Sequence, residues 1–446
     1  MFLVSKIKHL EGNRKKVFMN VFWAMLGKVI NMAGSLLVGI LVARYLGPRN
    51  YGLMNYVMSY VALFTVIATF GMGNIEVREL SKNPENKDSI LGTCFCLRFC
   101  FSTLAYLLLG ISLILYDTDS FTRNMILVYG ITLYTTCCFE VIRNYFTSIV
   151  KNEYVVKSEI MRTIVGACVK IVLLLMQAPL WSFIVAVVFD TILVASGYSI
   201  SYIKIVGRFR DWKFDKKTVP YFISQSFPLL LSGAAIIVYQ KIDQVMIGNM
   251  IDRESVGYFA TAEKFLNLIL FLPTVLTQTV TPLIVKIKKD CSEEEYQKKS
   301  YQFISIVVWV SILMAALCSA LSYWFIYLTY GTAYIAAVPV LQIMAWKTVG
   351  MALSSSGGQL IIIEKKQKWA VIRNLIGCIF CIVLNLLLIP KYGIVGSSIV
   401  SVITLFISGY LANVLIPPYQ GIFKLECRAI LFGWKELKYL KSFIRG

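Results

Sequence analysis

Charged residues are scarce in this chain, and histidine is almost absent. Only 15% of the 446 residues are charged, one histidine occurs, and 58% are hydrophobic. Soluble proteins carry about 25% charged and about 45 to 50% apolar residues. The composition excludes an ordinary soluble enzyme. It predicts a multi-pass membrane protein, because apolar runs long enough to cross a bilayer use nearly the whole chain.

The sequence also lacks the signatures of several other protein classes. It contains no Walker motif, so ATP is not expected to drive the protein directly. The eleven cysteines lie in or beside apolar runs or in segments predicted to be cytoplasmic, which argues against a disulfide framework and against a metal site. The N-terminus lacks the apolar core of a removable signal peptide. We therefore expect no metal, no cofactor and no enzymatic activity.

Basic residues are distributed unevenly between the loops. Twelve apolar runs of span length can be counted, and 29 of the 44 Lys and Arg residues fall in the N-terminal tail, the even-numbered loops and the C-terminal tail, against four in the odd-numbered loops. Cytoplasmic loops are enriched in Lys and Arg. Both termini are therefore predicted to be cytoplasmic. The net charge of +20 then reflects topology, and no nucleic-acid partner is expected.

The chain divides into two halves of similar pattern. With an offset of 205 residues the first span falls on the seventh, and Gly52 falls on Gly257. Paired six-span halves are a common plan of transporters. We predict an all-α fold of about twelve transmembrane helices with an N-terminal lobe at 1–206, a cytoplasmic linker at 207–220, a C-terminal lobe at 221–416 and a basic amphipathic cytoplasmic tail at 417–446.

Several charged residues interrupt the apolar runs, where each costs about 2.5 to 3.5 kcal/mol on insertion scales. Such residues should face a bundle interior or a wet cavity. Four cations are candidates for lining a cavity between the halves that binds an anionic cargo through phosphate or carboxylate groups: Lys28, Arg98, Lys264 and Lys347. Asp190, Asp243 and Glu140 are candidates for ion or proton coupling. The alternative is that these acids and cations pair with one another.

Other features of the second half predict local structure. Four prolines inside spans predict kinks: Pro228, Pro273, Pro282 and Pro339. The run from Ser355 to Gln359 is expected to loosen the end of the tenth span. Arg373 is expected to extend to the cytoplasmic interface, and the C-terminal tail is expected to lie on an anionic membrane surface.

Short motifs in both halves carry a family resemblance. They are Asn20 with Trp23, Ala43 to Pro48 with Tyr51 and Gly52, Gly71 with Arg78 and Glu79, Phe227 with Pro228, Asp243 to Gly248, Val256 to Tyr258 with Ala262 and Lys264, and Asn385 to Pro390 with Tyr392 to Ile394 and Gly396. Together they resemble the polysaccharide repeat-unit flippases, the O-antigen and capsule translocases of the multidrug/oligosaccharidyl-lipid/polysaccharide (MOP) superfamily.

The resemblance implies two six-helix lobes around a central cationic cavity. It also implies that the protein moves an undecaprenyl-pyrophosphate-linked oligosaccharide from the inner to the outer leaflet of the bacterial cytoplasmic membrane by alternating access. Membrane lipids and polysaccharide-assembly proteins would be its partners.

Three competing classes are weighed against this interpretation. Lipid II flippases are similar but typically carry two further spans. Multidrug exporters of the superfamily favour acidic cavity residues, whereas the first span here offers Lys28. A membrane-embedded polysaccharide polymerase would be expected to show a sizeable outward loop with acid or base residues, and the outward loops here are short.

Overall fold

The computed structural model describes residues 12–115 and 119–439, with the side chains of the first helix from Ile30 onward. The described residues form helices and connecting turns and contain no strand. The α-helices up to residue 205 are α1 Gly12–Thr69, α2 Gly73–Lys82, α3 Lys87–Leu115, α4 Ser120–Gly130, α5 Thr132–Cys137, α6 Glu140–Ser148, α7 Asn152–Leu175 and α8 Leu180–Ile205. The later ones are α9 Val219–Met250, α10 Arg253–Asp290, α11 Glu293–Tyr330, α12 Val338–Met344, α13 Lys347–Ile363, α14 Ala370–Phe406, α15 Ala412–Leu415 and α16 Gln420–Phe432.

Two of the long helices are each broken at one glycine. Within α1, Gly47 adopts φ 70° and ψ 169°, and within α14, Gly393 adopts φ 58° and ψ −139°. Glycine reaches these regions without a β-carbon penalty, and a proline lies close to each break, Pro48 and Pro390. Each break in these two helices is confined to a single residue.

Nine helical segments of the described chain are long and apolar enough to cross a membrane. The first, Ile30–Lys82, has 53 residues and contains the Gly47 break, and the last, Gln367–Leu415, has 49 residues and contains the Gly393 break. At about 1.5 Å per residue each is far longer than the roughly 30 Å hydrocarbon core. The multi-pass, all-helical architecture is confirmed, whereas the count of twelve spans and the cytoplasmic position of the termini stay predictions.

The four prolines predicted to kink the spans lie in two kinds of helical position. Pro228, Pro273 and Pro282 lie inside helices that continue through them, and Pro339 lies in the first turn of α12. Proline is tolerated in the first turn of a helix because its missing N–H is not needed there. The run from Ser355 to Gln359 is also helical, since α13 continues to Ile363.

The chain forms two compact units. The first comprises the residues up to Tyr45 with Tyr60–Gly233, and the second comprises Leu46–Ser59 with the residues from Ala234 onward. These units differ from the predicted lobes in two segments, 46–59 and 221–233. The lobe boundaries themselves stay a prediction.

Each unit has its own apolar core. In the first unit, side chains of α2, α3, α6, α8 and α9 meet around Leu91, Phe146 and Tyr202. In the second unit, the core lies between α11, α13 and α16 around Val308, Leu353 and Ile422. The described part of the C-terminal tail thus contributes apolar side chains to the core of the second unit.

Candidate functional site

Arg98 on α3 is a fully buried cation of the first unit. Its Nε and Nη2 contact the two carboxylate oxygens of Glu76 at 2.6 and 3.0 Å, and its Nη1 contacts Glu140 Oε2 at 2.8 Å. Asn144 donates to Glu76 Oε2 at 2.6 Å. The Arg98 and Glu76 side chains are fully buried. Arg98 is therefore occupied by two carboxylates of its own unit.

The position of Glu76 explains why the sequence did not indicate this pairing. Phe70 and Gly71 have φ of 47° and 68°, and this reversal lets a new helix, α2, begin at Gly73 with Glu76 in its first turn. An acid in the first turn is favoured by the helix dipole. The hydropathy pattern placed Glu76 in a polar loop, and no periodicity within one helix could connect it to Arg98.

A second ion pair of the first unit joins α7 to α8. Lys170 Nζ contacts Asp190 Oδ2, and both side chains are less than one-fifth exposed. One turn before Lys170, a β-carbon on Gly166 would overlap the Asp190 carboxylate. Because Gly166 has no side chain, the Asp190 carboxylate can occupy this space. For Asp190 this contact favours charge pairing over ion coupling.

In the second unit, Asp243 lies in a buried polar cluster between α9 and α14. It is 2% exposed and accepts a hydrogen bond from Asn385 Nδ2 at 2.7 Å, while Ser397 Oγ donates to Asn385 Oδ1 at 2.9 Å. The break at Gly393 returns the chain so that residues on both of its sides meet in this cluster. Asp243 is thus a buried acid that accepts a hydrogen bond within its own unit.

Lys347, in the first turn of α13, is the nearby cation of this cluster. It is 8% exposed and donates to Ser401 Oγ at 2.6 Å. It also attracts Asp243 electrostatically without a direct ion pair among the described contacts. Lys347 and Asp243 are therefore opposite charges of one buried cluster, and Ser401 and Asn385 are the groups that hydrogen-bond to them.

Lys264 on α10 has a different environment. Its Nζ lies 5.1 Å from the centroid of the Tyr51 ring, a distance that allows a cation–π interaction. The adjacent acid, Glu263, is 3.6 Å from Lys241 Nζ and accepts a hydrogen bond from Gln244. Within the described part of the chain, Lys264 makes no ion pair. Its ammonium group is held against an aromatic face rather than neutralised.

Three of the four predicted cations have described side chains, and each of these is in a different environment. Arg98 is paired within the first unit, whereas Lys347 and Lys264 both lie in the second. Lys28 lies on α1, and its side chain is outside the described residues. Tyr51 was missed as a site residue. It belongs to the motif after the Gly47 turn, but only tertiary contact connects it to Lys264.

Comparison with known proteins identifies the family of this chain. The family described as polysaccharide biosynthesis protein matches residues 17–288. The chain belongs to this family. The MatE family matches residues 228–387, and membership of the MOP superfamily, expected from the sequence, is confirmed.

Individual relatives of this family member are distant in sequence. The uncharacterized membrane protein MJ1068 of Methanocaldococcus jannaschii is 19% identical over 425 residues, which cover 88% of this chain and 82% of that protein. The lipid II flippase MurJ in an inward closed conformation superposes with a TM-score of 0.73 at 15% identity, covering 95% of this chain and 93% of its own.

A multidrug resistance MATE family transporter of the MOP superfamily in an inward-facing conformation superposes with a TM-score of 0.62 at 14% identity, covering 92% of this chain and 96% of its own. These similarities show that the family member has the transporter and flippase fold of the superfamily. Its structural relatives are transporters and flippases rather than enzymes.

Proposed function

We propose that this protein is a flippase that moves an undecaprenyl-pyrophosphate-linked oligosaccharide repeat unit from the inner to the outer leaflet of the bacterial cytoplasmic membrane by alternating access, for the synthesis of a surface polysaccharide such as O-antigen or capsule. The observation that carries the proposal is the state of Lys264, a membrane cation with an aromatic neighbour and no carboxylate partner among the described residues. Membership of a polysaccharide biosynthesis family supports the class of cargo.

A pyrophosphate group matches the chemistry of Lys264. An unpaired ammonium in a membrane is costly, and a bound phosphate would satisfy it with short, charge-assisted hydrogen bonds. Lys347 is the second candidate, although it must exchange its bond to Ser401 for one to the cargo. Arg98 has the weakest support as a cargo ligand, because binding a phosphate there would leave the buried carboxylate of Glu76 without its partner.

The test is transport of a fluorescent undecaprenyl-pyrophosphate oligosaccharide in proteoliposomes. Lys264→Ala should reduce cargo affinity by about tenfold to 150-fold, since a hydrogen bond to a charged group contributes about 1.5 to 3 kcal/mol. Lys264→Arg should retain most of the activity. Lys391→Ala, which changes an exposed lysine, is the matched control and should behave as the wild type.

A second candidate function is cation-coupled multidrug export. The match of the MatE family to residues 228–387, which include Asp243, favours it. The same proteoliposomes separate the two functions. If the wild-type protein moves no lipid-linked oligosaccharide but expels a cationic dye, and Asp243→Asn abolishes that export, the flippase proposal is wrong.

A further inference from the structure

The C-terminal helix α16 buries an acidic side chain. Its inward face consists of Ile422, Glu426 and Ala429, which are spaced by four and three residues and so share one side of the helix. Glu426 is fully buried. Glutamates are almost never fully buried unless they are paired. The groups around this carboxyl therefore determine whether it is charged or neutral.

Three residues of the second unit form a pocket around the Glu426 carboxyl. Asn413 Nδ2 donates to its Oε2 at 3.1 Å. A β-carbon on Gly357 of α13 would overlap its Oε1, so the carboxyl group occupies the space that a side chain at this position would take. Arg373 of α14 attracts Glu426 electrostatically. We call these three residues the Glu426 pocket.

The pocket contains polar atoms that the protein does not satisfy. Glu426 Oε1, Asn413 Oδ1 and the Nε and Nη1 atoms of Arg373 are buried, and none has a hydrogen-bond partner among the described residues. Arg373 is 9% exposed, so it does not extend into solvent at the interface as the sequence suggested. A buried, ionised carboxylate with only one hydrogen bond and no direct ion pair is unfavourable.

The backbone beside the pocket is unusual. Residues Ile407–Leu411 form a π-helical turn between α14 and α15, and Asn413 lies two residues after its end. Such turns occur frequently at functional sites. Asn413 Nδ2 also approaches the Gly409 carbonyl oxygen at 3.4 Å. The residue that hydrogen-bonds to Glu426 is thus positioned by an irregular turn.

Burial, rather than the groups that face Glu426, favours its neutral form. Among the described residues, the charged group is the Arg373 guanidinium, and the nearby titratable groups are the Tyr410 phenol and the Cys427 thiol, which hydrogen-bond to each other at 3.0 Å. Helix α13 contributes Gly357, and α11 contributes the indole of Trp309, which donates to the Ala429 carbonyl oxygen. Burial raises the pKa of Glu426 to about 8, although Asn413 and Arg373 act in the opposite direction.

We propose that the Glu426 pocket is a proton-binding site that holds helix α16 on the second unit while Glu426 is neutral and releases it when Glu426 ionises. The ligand is the proton itself. The small residues near the end of α13 then have a role that the sequence did not show. Gly357 supplies the space for the carboxyl group of the docked helix.

The direction of the pH effect follows from linkage. Between the ordinary pKa of a glutamate and a pKa near 8, the docked state binds more protons than the released state, so docking weakens as the pH rises. Docking is strongest below the ordinary glutamate pKa and reaches its weakest level above about pH 8. The docking equilibrium should fall about tenfold between pH 7 and pH 9.

Hydrogen–deuterium exchange of the full chain in lipid nanodiscs tests the proposal. After correction for intrinsic exchange rates, protection of residues 420–432 should fall about tenfold from pH 7 to pH 9 in the wild type. Glu426→Gln, which resembles the neutral acid, should keep the protection constant over this range. Gly357→Ala should lower the protection at both pH values, whereas Gly358→Ala, where no atom lies within 4 Å of the added carbon, should not.

Two results would overturn the proposal. One is wild-type protection that does not change between pH 7 and pH 9. The other is Glu426→Gln protein that loses protection as steeply as the wild type, because the pH response would then belong to another group. Neither measurement depends on the cargo, so the site can be judged separately from the proposed transport function.

Discussion

The backbones of Gly52 and Gly257 pack against each other in the second unit. A β-carbon on Gly52 would stand 2.7 Å from the Gly257 nitrogen and would overlap the Arg253 carbonyl oxygen, and one on Gly257 would overlap the Pro48 carbonyl oxygen. These are the two glycines that coincide when the halves of the sequence are overlaid. The segment after the Gly47 break is therefore tied to the start of α10 by backbone contact.

The first prediction concerns this contact. Gly257→Ala should lower the free energy of unfolding by about 1 to 3 kcal/mol, because the added methyl group overpacks a rigid backbone contact. Thermal unfolding of the purified protein, followed by tryptophan fluorescence, measures the change. Gly110→Ala is the matched control, because no atom lies within 4 Å of the added carbon. It should leave stability unchanged or slightly raised.

The second prediction concerns the buried network of Arg98. Arg98→Met should destabilise the protein by about 3 to 5 kcal/mol, since Glu76 and Glu140 lose the charge that compensates them. Arg98→Lys should rescue little, because an ammonium cannot reproduce the bidentate contact with Glu76. Adding Glu76→Gln to Arg98→Met should recover part of the loss. A double variant no more stable than Arg98→Met would contradict this account.

The third prediction concerns Asp243 and Lys347. If they act as an internal charge pair, Asp243→Asn and Lys347→Met should not be additive, and the coupling energy in a double-mutant cycle should be about 0.5 to 3 kcal/mol. Unfolding of the four proteins in the same detergent provides the cycle. Additive effects, together with loss of cation-dependent transport in Asp243→Asn, would instead favour a role in ion coupling.

The fourth prediction concerns the ring beneath Lys264. Tyr51→Phe should preserve cargo binding, whereas Tyr51→Leu should weaken it about twofold to thirtyfold, since a cation–π interaction contributes roughly 0.5 to 2 kcal/mol. Binding of the lipid-linked oligosaccharide to the reconstituted protein is the readout. A series of fluorinated phenylalanines at position 51 provides the control for shape, because fluorination weakens the interaction with little change in size.

The candidate site could be predicted only in part. Lys264 and Lys347 each interrupt an apolar run, so the sequence indicates that the membrane spans contain cations. Which of them is neutralised was not evident. Glu76 pairs with Arg98 from a separate short helix, and Glu426 reaches Gly357 from beyond the last apolar run. Periodicity identifies residues that share a helix face but does not identify the helix that this face meets.

The helical, multi-pass class of this protein and its family could be derived from the sequence, which also places a glycine–proline pair where the first long helix breaks. These follow from local physics, since apolar runs of about 20 residues cross membranes as helices and glycine reaches conformations that other residues avoid. The pairing of Arg98, the contact of Lys264 with Tyr51 and the burial of Glu426 are instead set by tertiary packing. Those outcomes depend on contacts between segments that are distant in the sequence. Inside the protein the dielectric constant is low, so a buried charge without a partner is costly.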